Sequence, residues 1–536
     1  MSDAEPPSPA RPGPAPGPPD PTRRRLLLAA GLGAASLVGL SRLERAGGPA
    51  SPPPRRAELV VGPERAAPPA APAMADAPPP PPAGHVFDRV LRGGRVIDPE
   101  TGYDAMADVG IDGDRITAIA AEPLRGRAVV DATGLVVAPG FIDVLSYEPN
   151  SYGVWFKVAD GVTTNLGMHG INNTAEGFFS FFGSEAQRPP VHYGGAFDNP
   201  HMRDVEAGLP TRPATPAQID QLERLLEEGL AGGWIGLDVE PEYTPWVTEE
   251  EITELARVAA RFGMPVFSHI RWSSPGTPTE GSLAAIDELL RVAEATGAGV
   301  HVDHITSMAT HVMDEALAKL DDARARGIDV TACVYPYDFW ATTLASERFA
   351  PGWQERFRID YDDLEIPGTG ERLTEASFER YRAQNTLVAA YAIPEADVQT
   401  ALRAPFVMIG SDAILEPGDN NHPRSTGCFT RTLGRYVREL GVLSLTEALA
   451  KMTILPARRL EARVPAMRRK GRLQIGADAD VTVFDPARVA DTSTVDDPAR
   501  MAVGVEYVLV AGQLVKERDV LHREVRPGRP IKAEQA

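Results

Sequence analysis

Short runs in which apolar and polar residues alternate occur near both ends of the chain. Residues 107–116 alternate in this way around an Asp-Gly turn, and residues 480–484 and 505–515 repeat the pattern near the C-terminus. Alternation interrupted by tight turns is typical of β-hairpins with one buried face. The pattern predicts one small β domain, a β-sandwich that residues 85–138 and 470–530 form together.

The middle of the chain, residues 139–469, alternates apolar strand-like runs with amphipathic helical stretches. Alternating β and α units indicate a parallel sheet, and eight such units favour an (α/β)8 barrel of the TIM type. The candidate strands end near these residues: Leu145, Leu166, Phe197, Asp238, His269, His304, Tyr335 and Asp412. The connection between the last two strands is long, which predicts an inserted segment at about 339–404 that could cover the barrel mouth.

The N-terminal segment 1–47 has the pattern of an export signal. The arginines at 23–25 precede roughly 15 apolar residues, which are too few for a comfortable membrane span. The segment resembles a twin-arginine signal, which predicts export by the Tat machinery to the periplasm or the cell exterior. An uncleaved membrane tether is the alternative. Residues 48–84 are rich in Pro and Ala, a composition that predicts an extended linker.

The charge of the chain limits the kinds of partner that it can bind. The 536 residues include 54 Lys and Arg against 74 Asp and Glu, for a formal net charge of -20. Nucleic acid is not an expected partner, because phosphate binding needs clustered basic residues, and a small-molecule substrate is expected instead. The two cysteines, Cys333 and Cys428, are too few for a disulfide scaffold or for a zinc site made of cysteines. They could pair, but two buried free thiols are the simpler expectation.

Polar residues at the ends of the candidate strands indicate the chemistry, because active sites of such barrels lie at the C-terminal ends of the strands. His269, His304 and Asp412 end the fifth, sixth and eighth strands, and His169 follows the second. Three histidines that leave one position open make a hydrolytic zinc site. Since the chain has only ten histidines, their coincidence at matching strand ends predicts a metal site. Hydrogen-bonded core histidines are the alternative.

A series of short motifs runs through the chain between residues 91 and 515. Residues 137–143 read VAPGFID, and residues 471–480 read GRLQIGADAD. The remaining motifs are Ser268-His269-Ile270-Arg271, Val334-Tyr335-Pro336-Tyr337, Ile409-Gly410-Ser411-Asp412, His422-Pro423-Arg424, LGRYVRE at 433–439 and KMTILPA at 451–457. The first two resemble signatures of the amidohydrolase superfamily, and the others resemble its D-aminoacylase branch, the N-acyl-D-amino-acid deacylases. The resemblance implies a metal-dependent hydrolase that cleaves an amide-type C–N bond in an N-acyl-D-amino acid or a related small amide.

The resemblance also implies roles for the strand-end residues. His269 and His304 match the histidines that hold the family's tightly bound zinc, and His169 falls where D-aminoacylases carry a cysteine ligand. Asp412 matches the general acid/base, which takes a proton from the attacking water and returns it to the leaving nitrogen.

Four further residues are implied to contact the substrate. Tyr335 or Tyr337 lies in a motif that contributes a substrate-contacting tyrosine. Arg424 is preferred to Arg271 for binding a substrate carboxylate, because a guanidinium pairs with a carboxylate through two hydrogen bonds. A structural salt bridge is the alternative role of Arg424.

The chain departs from the family pattern at several positions. Leu145 and Tyr147 replace the His-x-His pair of strand 1, and leucine cannot ligate a metal. His169 replaces a cysteine, and a neutral imidazole binds one ion whereas a thiolate can bridge two. These changes predict a single divalent ion per chain, zinc, held by the three histidines. Thr306 replaces a lysine of the family, which weakens the expectation that a substrate carboxylate is bound in the usual way.

Two other classes of function are compatible with the sequence. A non-catalytic exported barrel could keep the scaffold without the strand 1 ligands, although such a protein has no need of Asp412. A hydrolase of cyclic amides, lactones or dipeptides could use the same site, because a fold alone does not determine the substrate.

Overall fold

The computed structural model describes residues 70–209, 211–277, 279–417 and 422–534. The expected signal at 1–47 and the expected linker as far as residue 69 lie outside the described residues. Among the helices that are described, none combines the length and apolar character needed to cross a membrane.

The strands of the described residues fall into a terminal sheet, a barrel and an insertion. In chain order they are β1 (Val86–Asp98), β2 (Tyr103–Asp112), β3 (Arg115–Ala120), β4 (Arg125–Asp131), β5 (Val136–Pro139), β6 (Phe141–Ser146), β7 (Val162–Gly167), β8 (His192–Gly195), β9 (Phe197–Asp198), β10 (Leu237–Val239), β11 (Val266–Ser268), β12 (Val300–Val302), β13 (Val330–Val334), β14 (Trp340–Thr343), β15 (Leu364–Ile366), β16 (Glu371–Arg372), β17 (Leu387–Ala390), β18 (Val407–Ile409), β19 (Val481–Phe484), β20 (Val505–Val510), β21 (Gln513–Glu517) and β22 (Val520–Leu521).

Most helices lie between the barrel strands. They are α1 (Val154–Ala159), α2 (Ala175–Gly183), α3 (Asn199–His201), α4 (Pro216–Ala231), α5 (Glu249–Phe262), α6 (Ser282–Thr296), α7 (Ile305–Met308), α8 (Met313–Ala325), α9 (Trp353–Phe357), α10 (Glu375–Ala383), α11 (Glu395–Arg403), α12 (Arg424–Arg431), α13 (Leu445–Met452) and α14 (Ile454–Leu460). Short π-helical segments occupy Met202–Glu206 and Thr432–Glu439, and 3-10 turns occupy Glu347–Phe349, Tyr361–Asp363 and Pro465–Arg469.

Strands from both chain ends form one sheet, with the order β22-β21-β20-β19-β5-β1-β2-β3 and β4 paired to β1. The two ends meet where β19 pairs antiparallel with β5. Leu91 and Val109 from the first end and Val481 and Leu509 from the second are fully buried in one apolar core. This confirms the expected small β domain, and its strands belong to one continuous hydrogen-bonded sheet.

The barrel strands are parallel and fall into the groups β6-β7-β8 and β9-β10-β11-β12-β13-β18. Strands β8 and β9 are two halves of the third barrel strand. Backbone hydrogen bonds join the groups on both sides: the Ile235 amide donates to the Gly195 carbonyl at 3.0 Å, and the Asp412 amide donates to the Leu145 carbonyl at 2.7 Å. The α/β barrel expected from the sequence is therefore confirmed.

Helix α5 illustrates how the local sequence sets the boundaries of a barrel helix. Thr248 caps its N-terminus by accepting a hydrogen bond from the Glu251 amide at 3.2 Å, and a glutamate-rich first turn suits the positive end of the helix dipole. The helix ends at Gly263, whose φ of 68° lies in the left-handed region that glycine adopts without strain. The chain then turns directly into β11, which ends next to His269.

The segment between β13 and β18 folds into a small antiparallel sheet with the order β14-β17-β15-β16. Aromatic side chains pack beside it: the Trp340 and Phe357 rings lie 5.2 Å apart, and the Trp353 and Phe378 rings stack at 5.3 Å. Arg348, in the turn between β14 and α9, lies over the Trp340 ring at 4.3 Å. Its guanidinium reaches the barrel mouth.

Candidate metal centre and active site

Three histidines from separate barrel strands converge at the C-terminal end of the barrel. His169 follows β7, His269 follows β11 and His304 follows β12. One ring nitrogen of each lies within 4.8 Å of the other two, and all three side chains are buried. The structure therefore brings together the three residues that the sequence predicts as metal ligands.

Neighbouring residues determine which nitrogen of each of two histidines is available. His269 Nε2 lies 2.7 Å from Glu242 Oε2, and His304 Nδ1 lies 3.2 Å from Ser307 Oγ. The remaining nitrogens, His269 Nδ1 and His304 Nε2, lie 3.1 Å apart. Metal-binding histidines commonly have the second nitrogen held by a carboxylate or another polar group, which fixes the orientation of the ring.

The third histidine follows the same rule. His169 Nδ1 lies 3.1 Å from Asp238 Oδ2, and His169 Nε2 is buried without a hydrogen-bond partner among the described residues. A buried nitrogen without a partner is costly, and a bound cation would remove that cost. The donor set of three imidazole nitrogens suits zinc. The residues present thus fit a divalent metal.

The electrostatic surroundings favour neutral imidazoles at two of these positions. Burial lowers the pKa of His269 and lowers the pKa of His304 well below its usual range. For His169 burial also opposes the charged form, but Glu240 and Asp303 raise its pKa overall. Since a metal binds the unprotonated nitrogen, the neutral form of each ring is the one that acts as a ligand.

Asp412 lies beside this centre. Its Oδ2 is 3.7 Å from His304 Nε2 and 2.9 Å from Arg424 Nη2, whereas its Oδ1 has no hydrogen-bond partner among the described residues. The backbone of Asp412 has a φ of 51°, a conformation that is uncommon for a residue other than glycine. Such conformations concentrate at functional sites, where the surrounding structure imposes them.

Two of the predicted substrate-contacting residues are close to Asp412. Arg424 pairs with Asp412 and lies over the Tyr335 ring at 4.4 Å. The Tyr335 ring lies 6.2 Å from the His304 ring. Arg424 Nε is buried without a hydrogen-bond partner among the described residues, so this donor is available to a ligand.

The other two predicted substrate residues do not join this group. The Arg271 guanidinium forms two hydrogen bonds with Glu288, at 2.8 and 2.6 Å, and lines an outer cavity of about 540 Å³ beside Trp272. Tyr337 Oη donates to the Pro423 carbonyl oxygen at 3.3 Å, so it supports the loop that carries Arg424. Both side chains have structural partners, and neither contacts the three histidines.

The strand 1 positions where the family pattern has its His-x-His pair are occupied by a leucine and a tyrosine. Leu145 is fully buried in an apolar cluster that includes Phe267 and Met408. The Tyr147 ring lies 6.1 Å from the His169 ring. Burial, with the nearby Asp412 charge, raises the pKa of Tyr147 well above its usual value, which keeps its hydroxyl protonated.

The structure also reveals acidic and basic residues that the sequence interpretation missed. Asp238 lies in β10, and Glu240 and Glu242 come within three residues of its end, so the rule of strand ends could have found them. Asp303 adjoins His304 in the sequence and is buried beside His169. Arg348 carried no comparable signal, because its position depends on how the insertion folds.

Comparisons with known proteins agree with this geometry. A model described as the amidohydrolase family matches residues 376–516. The chain is 35% identical over 468 residues to an N-acyl-D-glutamate deacylase of Alcaligenes xylosoxydans xylosoxydans, covering 79% of this chain and 93% of that protein. It is 32% identical over 468 residues to a D-aminoacylase of the same organism, covering 80% of this chain and 94% of that protein.

A solved structure of a deacylase is also similar to this chain. The N-acyl-D-glutamate deacylase of Bordetella bronchiseptica, complexed with zinc and a phosphonate inhibitor, superposes with a TM-score of 0.73 at 30% identity and covers 84% of this chain and 100% of its own. The barrel and its strand-end site thus define a metal-dependent hydrolase of C–N bonds other than peptide bonds. The chain belongs to the amidohydrolase family, in the branch of the D-aminoacylases and N-acyl-D-glutamate deacylases.

Proposed function

We propose that this protein removes the acyl group from an N-acyl-D-amino acid or a related small amide, with one divalent ion, zinc, at the three-histidine centre. The observation that carries the proposal is the arrangement of ring nitrogens. His269 Nδ1 and His304 Nε2 lie 3.1 Å apart beside the unpartnered His169 Nε2, while Asp412 approaches from the eighth strand. The relatives that share this branch are deacylases of N-acyl-D-amino acids.

The proposed chemistry divides between the ion and the chain. A divalent ion in such a centre supplies Lewis-acid activation of water and of a carbonyl oxygen. Asp412 accepts the proton of the attacking water through Oδ1, the oxygen without a partner, and delivers it to the leaving nitrogen. Arg424 holds the other carboxylate oxygen at 2.9 Å, which fixes the orientation of the acid/base.

Arg424 is also the proposed contact for a substrate carboxylate. Its Nε is buried and without a partner among the described residues, so it can donate to an anion while Nη2 remains on Asp412. The proposal of a single ion at this centre is supported by the strand 1 residues, because the Leu145 side chain has no donor atom and burial keeps the Tyr147 hydroxyl protonated.

The test is hydrolysis of matched N-acyl-D- and N-acyl-L-amino acids, with acidic, neutral and basic side chains, by purified zinc-loaded protein. His269→Ala is the matched control, because it removes one ligand and leaves Asp412 in place. We expect release of the free D-amino acid by the wild type and none by the variant. No hydrolysis of any substrate by a folded, zinc-loaded wild type would contradict the proposal and favour a binding protein.

We further propose that residues 1–47 direct export through the Tat machinery, with residues 48–84 as the linker to the enzyme. The support is the basic cluster before a short apolar run. Changing Arg23 and Arg24 together to Lys should retain the protein in the cytoplasm. Normal export of that variant, measured by cell fractionation, would contradict this assignment.

A further inference from the structure

A second group of metal-ligating side chains lies next to the three-histidine centre in the barrel interior. His301 is in β12, Asp303 follows that strand, and Cys333 is in β13. One ligand atom of each lies within 4.8 Å of the other two, and all three residues are fully buried. Strands β12 and β13 are parallel, with Val302 opposite Ala332, so Asp303 and Cys333 occupy neighbouring positions.

Asp303 has an unusual environment. Neither carboxylate oxygen has a hydrogen-bond partner among the described residues. Two histidine nitrogens lie within 4.0 Å of the carboxylate: His169 Nε2 is 3.7 Å from Oδ2, and His301 Nε2 is 4.0 Å from Oδ1. A buried carboxyl group whose two oxygens have no hydrogen-bond partner is energetically costly. A cation between Asp303 and its neighbours would remove this cost.

The other two residues present suitable donor atoms. Thr331 Oγ1 lies 2.7 Å from His301 Nδ1, which leaves Nε2 facing the group, and this nitrogen has no partner among the described residues. Cys333 is a free thiol whose sulfur accepts a hydrogen bond from the His304 amide at 3.3 Å.

The backbone at Gly410, which lies beside Cys333, leaves space for the sulfur. A Cβ atom at residue 410 would lie 3.3 Å from Cys333 Sγ and 2.9 Å from Leu145 Cβ, so glycine is needed there. The donor set of imidazole, carboxylate and thiolate is the one that borderline divalent ions such as zinc and cobalt prefer.

We propose that His301, Asp303 and Cys333 bind a second divalent cation, of the borderline class that includes zinc. This site is formed by residues of β12 and β13 and not by the strand 1 positions of the family's His-x-His pair. Asp303 would lie between this cation and the one at the three-histidine centre. Binding converts the Cys333 thiol to a thiolate and releases its proton to solvent. Because the group is fully enclosed, the ion is structural: it offsets the Asp303 charge and joins strands β12 and β13 below the active centre.

The experiment uses the full chain, stripped of metal and reloaded with cobalt(II). A cobalt ion bound by a thiolate gives a near-ultraviolet sulfur-to-metal charge-transfer band, which three histidines alone cannot give. We expect this band and two cobalt ions per chain in the wild type, and loss of the band and of one ion in Cys333→Ser. Cys428→Ser is the matched control, since Cys428 is also a buried free thiol, and it should keep both.

His269→Ala separates this proposal from the proposed function, because it should lose one ion and retain the charge-transfer band. If Cys333→Ser does not fold, His301→Gln serves the same purpose and should lose the band while all other ligands remain. A folded, cobalt-loaded wild type without the band, or a band that survives in Cys333→Ser, would overturn the proposal. In either case hydrolysis by the zinc-loaded protein would still support the proposed function.

Discussion

Replacing Glu242 should weaken the metal centre although no ligand is removed. Glu242 Oε2 lies 2.7 Å from His269 Nε2 and 3.1 Å from Arg348 Nε, and its other oxygen accepts from Ser273. Glu242 thus orients the His269 ring so that Nδ1 faces the other ligands. Loss of such a supporting partner typically lowers metal affinity by about 10- to 100-fold.

The two ends of this range correspond to two variants. Glu242→Gln keeps one oxygen that can accept from His269, but it removes the negative charge beside Arg348 and replaces the acceptor of the Ser273 hydroxyl with an NH2 group, so we expect about a 10-fold weaker zinc affinity. Glu242→Ala removes the support entirely, and about a 100-fold loss is expected. These losses correspond to about 1.4 and 2.7 kcal/mol of binding free energy.

Arg348 should contribute to the same effect from the insertion. It pairs with Glu242 at 3.1 Å and donates to the Ser307 carbonyl at 2.6 Å, so it contacts the supporting residues of both His269 and His304. Arg348→Met leaves a largely buried carboxylate unpaired, which typically costs about 3–5 kcal/mol of folding stability. Adding Glu242→Gln should recover part of this stability, because no unpaired charge then remains.

Zinc affinity is measured by competition with a chromophoric chelator, and stability by denaturant unfolding of the same samples. Arg271→Met is the control, since it breaks a comparable Arg–Glu pair away from the three histidines. Zinc binding by Glu242→Gln and Glu242→Ala that equals the wild type would refute the assignment of Glu242 to ligand support.

The remaining predictions concern the ligands, the acid/base and the response to pH. His269→Ala or His304→Ala should lose one ion per chain and all turnover with the fold intact, by elemental analysis and circular dichroism; full metal and activity would show the ligand assignment to be wrong. Asp412→Asn should keep its metal and lose about 10²-fold or more in kcat, and normal turnover would refute the proposed mechanism. Burial alone would raise the pKa of Asp480, but a nearby histidine and Lys470 lower it overall. Its ionised form therefore stabilises the fold at neutral pH, and this contribution decreases progressively as the pH falls from about 4 toward the much lower folded pKa. The stability difference between wild type and Asp480→Asn should be largest near pH 7 and shrink in acid, and a difference independent of pH would contradict this.

The strand-end residues could be predicted because two simple rules apply to them. Apolar runs locate the barrel strands, and chemistry in such barrels lies where the strands end. His269 directly follows β11 and His304 lies two residues after β12, so an error of one residue in the strand boundary would not have moved them from the site. The same reasoning applies to Asp412, three residues after β18.

The direction of the Arg271 side chain could not be predicted from these rules. It lies beyond the end of β11 at Ser268, where side chains no longer alternate regularly between the two faces of a strand. Its direction is set by Glu288 on α6, a partner that the sequence does not identify. The contact of Arg348 with Glu242 could not be predicted either, because it forms only when the insertion between β13 and β18 is folded.

The most direct test of the metal centre is an anomalous diffraction map at the zinc edge from crystals of the zinc-loaded protein. We predict a peak within bonding distance of His169 Nε2, His269 Nδ1 and His304 Nε2, the three nitrogens that no supporting residue holds. A map without density among these nitrogens, or with zinc bound to the opposite nitrogens of the rings, would contradict the account.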